Sequence, residues 1–328
     1  MQAPENIYRL QTSVPGNGPG MMNAYLFKTS EGCLLVDTGW NDRNSSDALV
    51  RQLREAGASL EDIRYIVITH THPDHYGMVH RLAFQISAEV ILHEQEQAIL
   101  RMRAENYEQM AAEMAAWLEA HDMPGDTRRL FDRSSLTALG MTPAELPSRT
   151  VRGGEKLSIG DFEFEILWTP GHSPGHICLY EAERKLLAAG DHILPDTTPN
   201  VSMYLEMMRN PLEQYLESLE AMRGLEVKIA LPSHGEMFDN LPARIDAILQ
   251  HHEDRLVAMK AVLAGGERTA RQVAEATQWV EGTMTWGDLN SFAKRMALTE
   301  TVSHLELLHA RGEVVRTFRD GRYRYALV

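Results

Sequence analysis

The chain has 328 residues, 44% of them apolar, which is enough for one large core or two smaller ones. With 32 basic against 46 acidic residues, its net charge of −14 excludes a protein that coats nucleic acid or anionic membrane over its whole surface. No apolar stretch approaches the roughly 20 residues of a membrane span, and the opening MQAPENIYRL lacks the basic start and apolar centre of a signal peptide, so the expected compartment is the cytoplasm.

From residue 5 to about 93, short β-type runs alternate with helical ones: MMNAYLFKT, CLLVDTG, the amphipathic SSDALVRQLREAG, IRYIVITH and AEVILHE. This predicts an α/β layout. Residues 94–121 are rich in Ala, Glu, Met and Leu with apolar residues at helical spacing, and no β-type run follows until about 151, so 94–147 reads as a helical insertion. Strands resume at FEFEILWTPGH, HICLYEAERKLLAAGDH and VKIALPSH. Cys33 and Cys178, the two cysteines of the sequence, fall inside apolar runs and are expected as small buried hydrophobes. After residue 240 three helical stretches precede a hairpin, EVVRTFRDGRYRYAL, whose DG marks the turn. The expected division is an α/β domain over 1–240 and a small winged-helix-like domain over 241–328.

The densest chemistry lies in HTHPDHYG, residues 70–77, at the end of the apolar run RYIVIT. His70 and His72, two apart at a strand end, can point to one side and reach one ion, while Asp74 and His75, beyond Pro73, can serve a second ion nearby. Packing alone gives no reason to collect four ligand-type residues. Three more occur where later apolar runs stop: His172 in WTPGHSPGH, Asp191 in LLAAGDH and His234 in IALPSHG. That fits the rule that α/β sites lie beyond strand ends, and Asp37 in CLLVDTG fits it too.

The ordered set HTHPDH, GH at 171–172, GD at 190–191 and SHG at 233–235, with VDTG upstream, resembles the metallo-β-lactamase fold superfamily over about residues 5–240. The resemblance implies an α/β fold, a four-layer αβ/βα sandwich with the site at its open edge. It implies that His70, His72 and His172 bind one metal, that Asp74, His75 and His234 bind the other, and that Asp191 bridges them. Asp37 would support the ligand loop from behind, and His176 is a second candidate for such support. His192 is expected to face away from the metals, and the pair His251 and His252 to be solvated on a helix. Met203, Tyr204 and Met207 are candidate lining of a substrate pocket, with core filling as the alternative for the methionines.

Two divalent ions on such ligands can share a water, lower its pKa and present hydroxide to an electrophile, with Asp74 and Asp191 as the catalytic carboxylates. Zinc is the expected metal, and iron or manganese suits the same ligands. An aspartate at the bridging position is the pattern of the family's thioester, lactone and phosphodiester hydrolases, whereas its β-lactamases lack it. The expected reaction is therefore hydrolysis of a thioester, ester or lactone of a small to medium acyl substrate, as in glyoxalase-II-like enzymes. A lactonase or phosphotriesterase is the weaker reading, because the family's lactonases carry a tyrosine three residues after the bridging aspartate and Leu194 stands there. The rival class is an endoribonuclease or phosphodiesterase aided by the winged helix, with Arg316, Arg319, Arg322 and Arg324 as its contact to nucleic acid. Residues 241–328 carry 12 Lys and Arg against 11 Asp and Glu, and residues 1–240 carry 20 against 35, a balance that disfavours a polyanion. The insertion reads either as a lid for an apolar acyl group or as the contact of a homodimer.

Overall fold

The computed structural model describes residues 4–15, 20–83, 85–123, 125, 148–203, 209–279 and 282–328; Tyr204 and Met207 lie outside the described residues. One sheet is formed by β1 (Ile7–Ser13), β2 (Met21–Thr29), β3 (Gly32–Val36), β4 (Ile63–Val67), β5 (Glu89–His93) and β6 (Ser148–Val151), in that spatial order. Its first three strands are antiparallel and β3 to β6 run parallel. The second sheet contains β7 (Lys156–Ile159), β8 (Phe162–Trp168), β9 (Ile177–Glu181), β10 (Leu186–Gly190) and β11 (Ile229–Pro232) in the order β11-β10-β9-β8-β7.

The two-residue period of a strand divides these side chains between cores. Leu34 and Val36 of β3 enter the layer between the sheets, while Cys33 and Leu35 point the other way. On β10, Leu186 and Ala188 face the inner layer, and Leu187 and Ala189 the outer. Phe27 of the first sheet meets Phe162 and Phe164 of the second edge-on, with centroids 5.4 and 4.9 Å apart, so the inner layer is aromatic at its centre.

Helices cover both outer faces. On the first sheet lie α1 (Arg43–Glu55), α2 (Pro73–Tyr76) and α3 (Val79–Ala83). Asp42 caps α1 by accepting the Ser45 N–H, and Leu49 and Leu53, one turn apart, bury its inner face. Between β5 and β6 come α4 (Glu94–Glu105) and α5 (Tyr107–Ala120), the described helices of the expected insertion. The second sheet is covered by α6 (Pro211–Met222) and α7 (Leu241–Leu263). The chain is thus the four-layer helix–sheet–sheet–helix sandwich that the motifs imply.

After α7 follow α8 (Ala270–Ala276), α9 (Ser291–Ala310) and a hairpin of β12 (Val314–Arg319) and β13 (Arg322–Leu327). Their apolar side chains share one continuous cluster with Cys178, Leu187 and Leu212 of the second sheet and α6. His252, expected on a solvated face, is instead fully buried on α7, its Nδ1 3.1 Å from His304 Nε2 of α9. The stripe Ile245, Ile248, His252, Leu256, Met259 recurs every three to four residues, which puts His252 on the buried face. Cys33 and Cys178 are buried and unlinked, as expected. No described helix is long and apolar enough to cross a membrane.

Truncating the aromatic centre measures how far the sandwich depends on it. Phe27→Ala is expected to lower unfolding stability by about 3–5 kcal/mol, read from denaturant midpoints, because two ring contacts and a fully buried side chain are lost.

Candidate metal centre

The strand ends at one edge of the sandwich supply the site. At the end of β3, Asp37 takes a left-handed conformation, φ 61°, which turns its carboxylate back under the next strand end. There it accepts the Thr69 N–H and hydroxyl at 2.8 Å each and meets His75 Nδ1 at 2.8 Å. Beyond β4 the chain runs Thr69, His70, Thr71, His72 and then turns into α2, started by Pro73. That single turn presents Asp74 and His75 next to the two histidines before it.

The predicted ligand residues converge. His70 Nε2, His72 Nδ1 and His172 Nε2 form a triangle with sides of 2.9, 3.0 and 3.2 Å. Asp74 lies 3.8 Å from His75 Nε2 and 3.4 Å from His234 Nε2. Asp191 stands between the groups, its Oδ2 3.5 Å from both His172 Nε2 and His75 Nε2, and its Oδ1 3.5 Å from His234 Nε2. These residues make three groups that could each hold a cation, with ligand atoms within 4.8 Å of one another.

The donor chemistry fits metal. His172 Nδ1 meets the Asn200 carbonyl at 2.8 Å and His234 Nδ1 the Met21 carbonyl at 2.9 Å. A carbonyl only accepts, so in each ring Nδ1 carries the hydrogen and, in the neutral imidazole, Nε2 turns a lone pair inward. Burial and neighbouring imidazoles drive His70 well below its ordinary range and His72 down to about 3, so both offer lone pairs as well. Among the described residues, His75 Nε2 and Asp191 Oδ1 are buried without a hydrogen bond. Lone pairs crowded this closely, with buried atoms left unsatisfied, are the arrangement that a cation resolves.

Charge is unevenly held. Burial opposes ionisation of Asp74 and Asp191, yet the imidazoles outweigh it, keeping Asp74 at about 2 and Asp191 well below the carboxylate range. Burial likewise opposes protonation of His75, but Asp191, Asp37 and Asp74 draw it well above its ordinary range. His234 is raised against burial chiefly by Asp191 and Asp74. A cation must displace those protons.

The residues around the ligands are held in turn. His176 is fully buried, its Nδ1 2.8 Å from the Thr169 hydroxyl, and its Nε2 accepts the Asp191 N–H at 3.1 Å. Gly190 allows this approach, since a Cβ there would lie 2.6 Å from His176 Nε2. His192 is outside the ligand groups: its ring packs edge-on to Tyr215 at 5.1 Å, and its carbonyl accepts the Tyr215 hydroxyl at 2.7 Å. Met203 is half-buried against the apolar cluster that includes α9.

Glu96, which sequence reasoning passes over, ties two ligand loops together. It lies in the first turn of α4 and is 1% exposed. One oxygen accepts the Thr71 N–H at 2.9 Å and also its hydroxyl; the other accepts the Gly175 N–H at 2.9 Å. Thr71 separates His70 from His72, and Gly175 follows His172. A Cβ at Gly175 would fall 2.8 Å from Glu96 Cγ, so the loop must carry glycine to come this near.

Three of the four arginines of the hairpin are engaged within the chain. Arg316 pairs with Glu306 at 2.7 Å, Arg319 with Glu267, and Arg322 with Asp122 at 3.0 Å. The Asp122 contact joins the insertion to the hairpin.

Residues 17–234 match the family model described as the metallo-beta-lactamase superfamily. A probable metallo-hydrolase of Bacillus subtilis is 26% identical over 93% of each chain. An acyl-coenzyme A thioesterase of Gallus gallus is 32% identical over 66% of this chain and 73% of its own. The crystal structure of a metallo-beta-lactamase family protein from Thermus thermophilus superposes with a TM-score of 0.84 at 30% identity, covering 98% of this chain and 99% of that one.

Two outcomes follow from the electrostatics and the loop clamp. Zinc affinity, measured by calorimetry, should fall as pH drops through the raised range of His75 and His234, since those protons compete with the ion. Glu96→Ala should weaken zinc retention in a chelator competition by about 10–100-fold, the usual cost of losing an outer partner of the ligands. Unchanged retention would show that the two loops hold themselves.

Proposed function

The chain belongs to the metallo-beta-lactamase superfamily and is a metallo-hydrolase, and on that premise we propose that it hydrolyses the thioester of a small to medium acyl substrate. The proposed centre holds two divalent cations, zinc by preference. His70, His72 and His172 would hold one, Asp74, His75 and His234 would hold the other, and Asp191 would serve both. The observation that carries this reading is Asp191, a carboxylate 3.5 Å from nitrogens of both groups. Bound there, the ions would supply Lewis-acid polarisation of the acyl carbonyl and activation of water.

The protein's own part is orientation and proton handling. Asp37, Asn200 and Met21 fix the ligand imidazoles from behind through their outer nitrogens. In hydrolysis a C–O bond forms, the C–S bond breaks and one proton must travel from water to the departing sulfur. Asp74 is the more open of the two site carboxylates, and its oxygens are the proposed station for that proton. The burial of the histidines keeps bulk water from their inner face, so charge developing on the acyl oxygen is stabilised by fixed groups.

The similarity to an acyl-coenzyme A thioesterase supports the choice of thioester over lactone. Leu194, buried three residues after Asp191, offers no hydroxyl to a lactone ring. The internal pairing of Arg316, Arg319 and Arg322 supports a packing role for the hairpin over contact with a polyanion.

A substrate panel tests the proposal: an acyl-CoA, lactoylglutathione, a homoserine lactone, bis-p-nitrophenyl phosphate and an RNA oligomer, each offered to the zinc-loaded protein. The thioesters should be the best substrates. His72→Ala and Asp191→Ala should lower kcat on them by about a thousandfold or more, since ligand and acid–base contributions are lost together. Cleavage of RNA with no turnover of any thioester or ester would overturn the reading.

A further inference from the structure

Loop 191–203 leaves β10 with Asp191 and reaches Asn200, whose carbonyl receives His172 Nδ1. The side chain of Asn200 faces the C-terminal helices instead. Its amide donates to Glu300 Oε2 of α9 at 2.5 Å, and its Oδ1 accepts the Ser202 hydroxyl. Ser202 in turn lies 2.7 Å from the Thr299 hydroxyl, and the Met203 N–H donates to the Thr299 carbonyl at 3.1 Å. Two successive residues of α9 therefore grip the loop at 200, 202 and 203. Glu300 Oε1 is 3.7 Å from Arg255 of α7, and the Arg255 guanidinium rests over the Trp279 ring, 4.7 Å from its centre.

Glu300 is buried, and a buried ion pair of this length does not repay its desolvation through stability. Apolar side chains of similar volume in place of both Glu300 and Arg255 would avoid that cost. What Glu300 adds is a direction: it fixes the Asn200 amide plane, and through the backbone of the same residue it fixes the carbonyl that orients His172.

We propose that the C-terminal helices take part in building the active site, with Glu300 as a positioning residue that sets the His172 ligand through Asn200. This deepens the proposed function and rests on His172 being a metal ligand. It gives residues 241–328 a role inside the hydrolase, with no nucleic acid or other partner required. Glu300 touches neither metal nor substrate, so its loss should alter the geometry at His172 before it alters the affinity for substrate.

Cobalt(II), loaded into the full-length protein, reads that geometry by its visible absorption. Glu300→Ala should change the band position and intensity, lower the affinity for the ion by about tenfold or more, and reduce kcat on an acyl-CoA while KM stays near its original value. Glu300→Gln, which can still accept from the Asn200 amide, should restore most of the spectrum. Phe27→Ala, destabilised at a distant site, serves as the control and should leave the spectrum as it is. If Glu300→Ala does not fold, Asn200→Ala removes the same link and should give the same changes. A spectrum in these variants identical to the unsubstituted protein, or one shifted equally by Phe27→Ala, overturns the positioning role. A wild-type chain that takes up no cobalt defeats instead the metal reading on which it rests.

Discussion

The centre depends on one buried carboxylate. Asp37 sits at the end of β3 in a left-handed backbone conformation that costs a non-glycine residue about 1–3 kcal/mol. The cost is offset by three hydrogen-bonding contacts at 2.8 Å, to Thr69 N–H, Thr69 hydroxyl and His75 Nδ1, with the Ser233 hydroxyl at 3.4 Å as a fourth neighbour. Those contacts bring together the ends of β3 and β4, the turn of α2 and the SHG loop after β11. The two sheets meet at the same place, where Asn23 of β2 donates to the carbonyls of Pro232 and Gly235 and Tyr25 donates to Pro232. Fold and site are thus joined by the same few polar contacts.

Around that hub the molecule repeats one device. In His70, His75, His172 and His234 the inner nitrogen is aimed at the proposed cation positions and the outer nitrogen is held by another group of the chain. For His75 the holder is Asp37, for His172 the Asn200 carbonyl, for His234 the Met21 carbonyl and for His70 the Thr69 hydroxyl. Glu96 from the insertion ties the loops that carry His70 and His172, and Glu300 from α9 holds the side chain of Asn200, whose carbonyl meets His172. Elements added to the sandwich thus reach the surroundings of the proposed ligands, where metal geometry needs outer support.

Legibility from sequence follows the range of the interactions. The α/β pattern, the helices after β5 and the cluster of ligand-type residues can be read because each is written locally, as a helical period or as a strand-length apolar run ending in His or Asp. Glu96 cannot. In EQEQAIL it looks like any solvated glutamate, and its partners lie 25 and 79 residues away. Asn200 is hidden for a different reason, since it acts on His172 through a backbone carbonyl that any residue possesses. The expectation for His252 fails because a paired HH in a polar stretch suggests solvent, while the periodicity of its apolar neighbours, a signal present in the sequence, places it inside. The short strands β1, β6 and β7 are blurred because four to seven residues of mixed polarity carry little pattern of their own, and their pairing partners decide them.

The claim on which everything else rests is that these seven side chains hold two metal ions. An anomalous diffraction map from crystals of the metal-loaded protein tests it directly. Two peaks are expected, one among His70, His72 and His172 and one among Asp74, His75 and His234, with Asp191 within ligand distance of both. A map with no peak there, or with a single peak that leaves Asp74 and His234 without a metal, would contradict it.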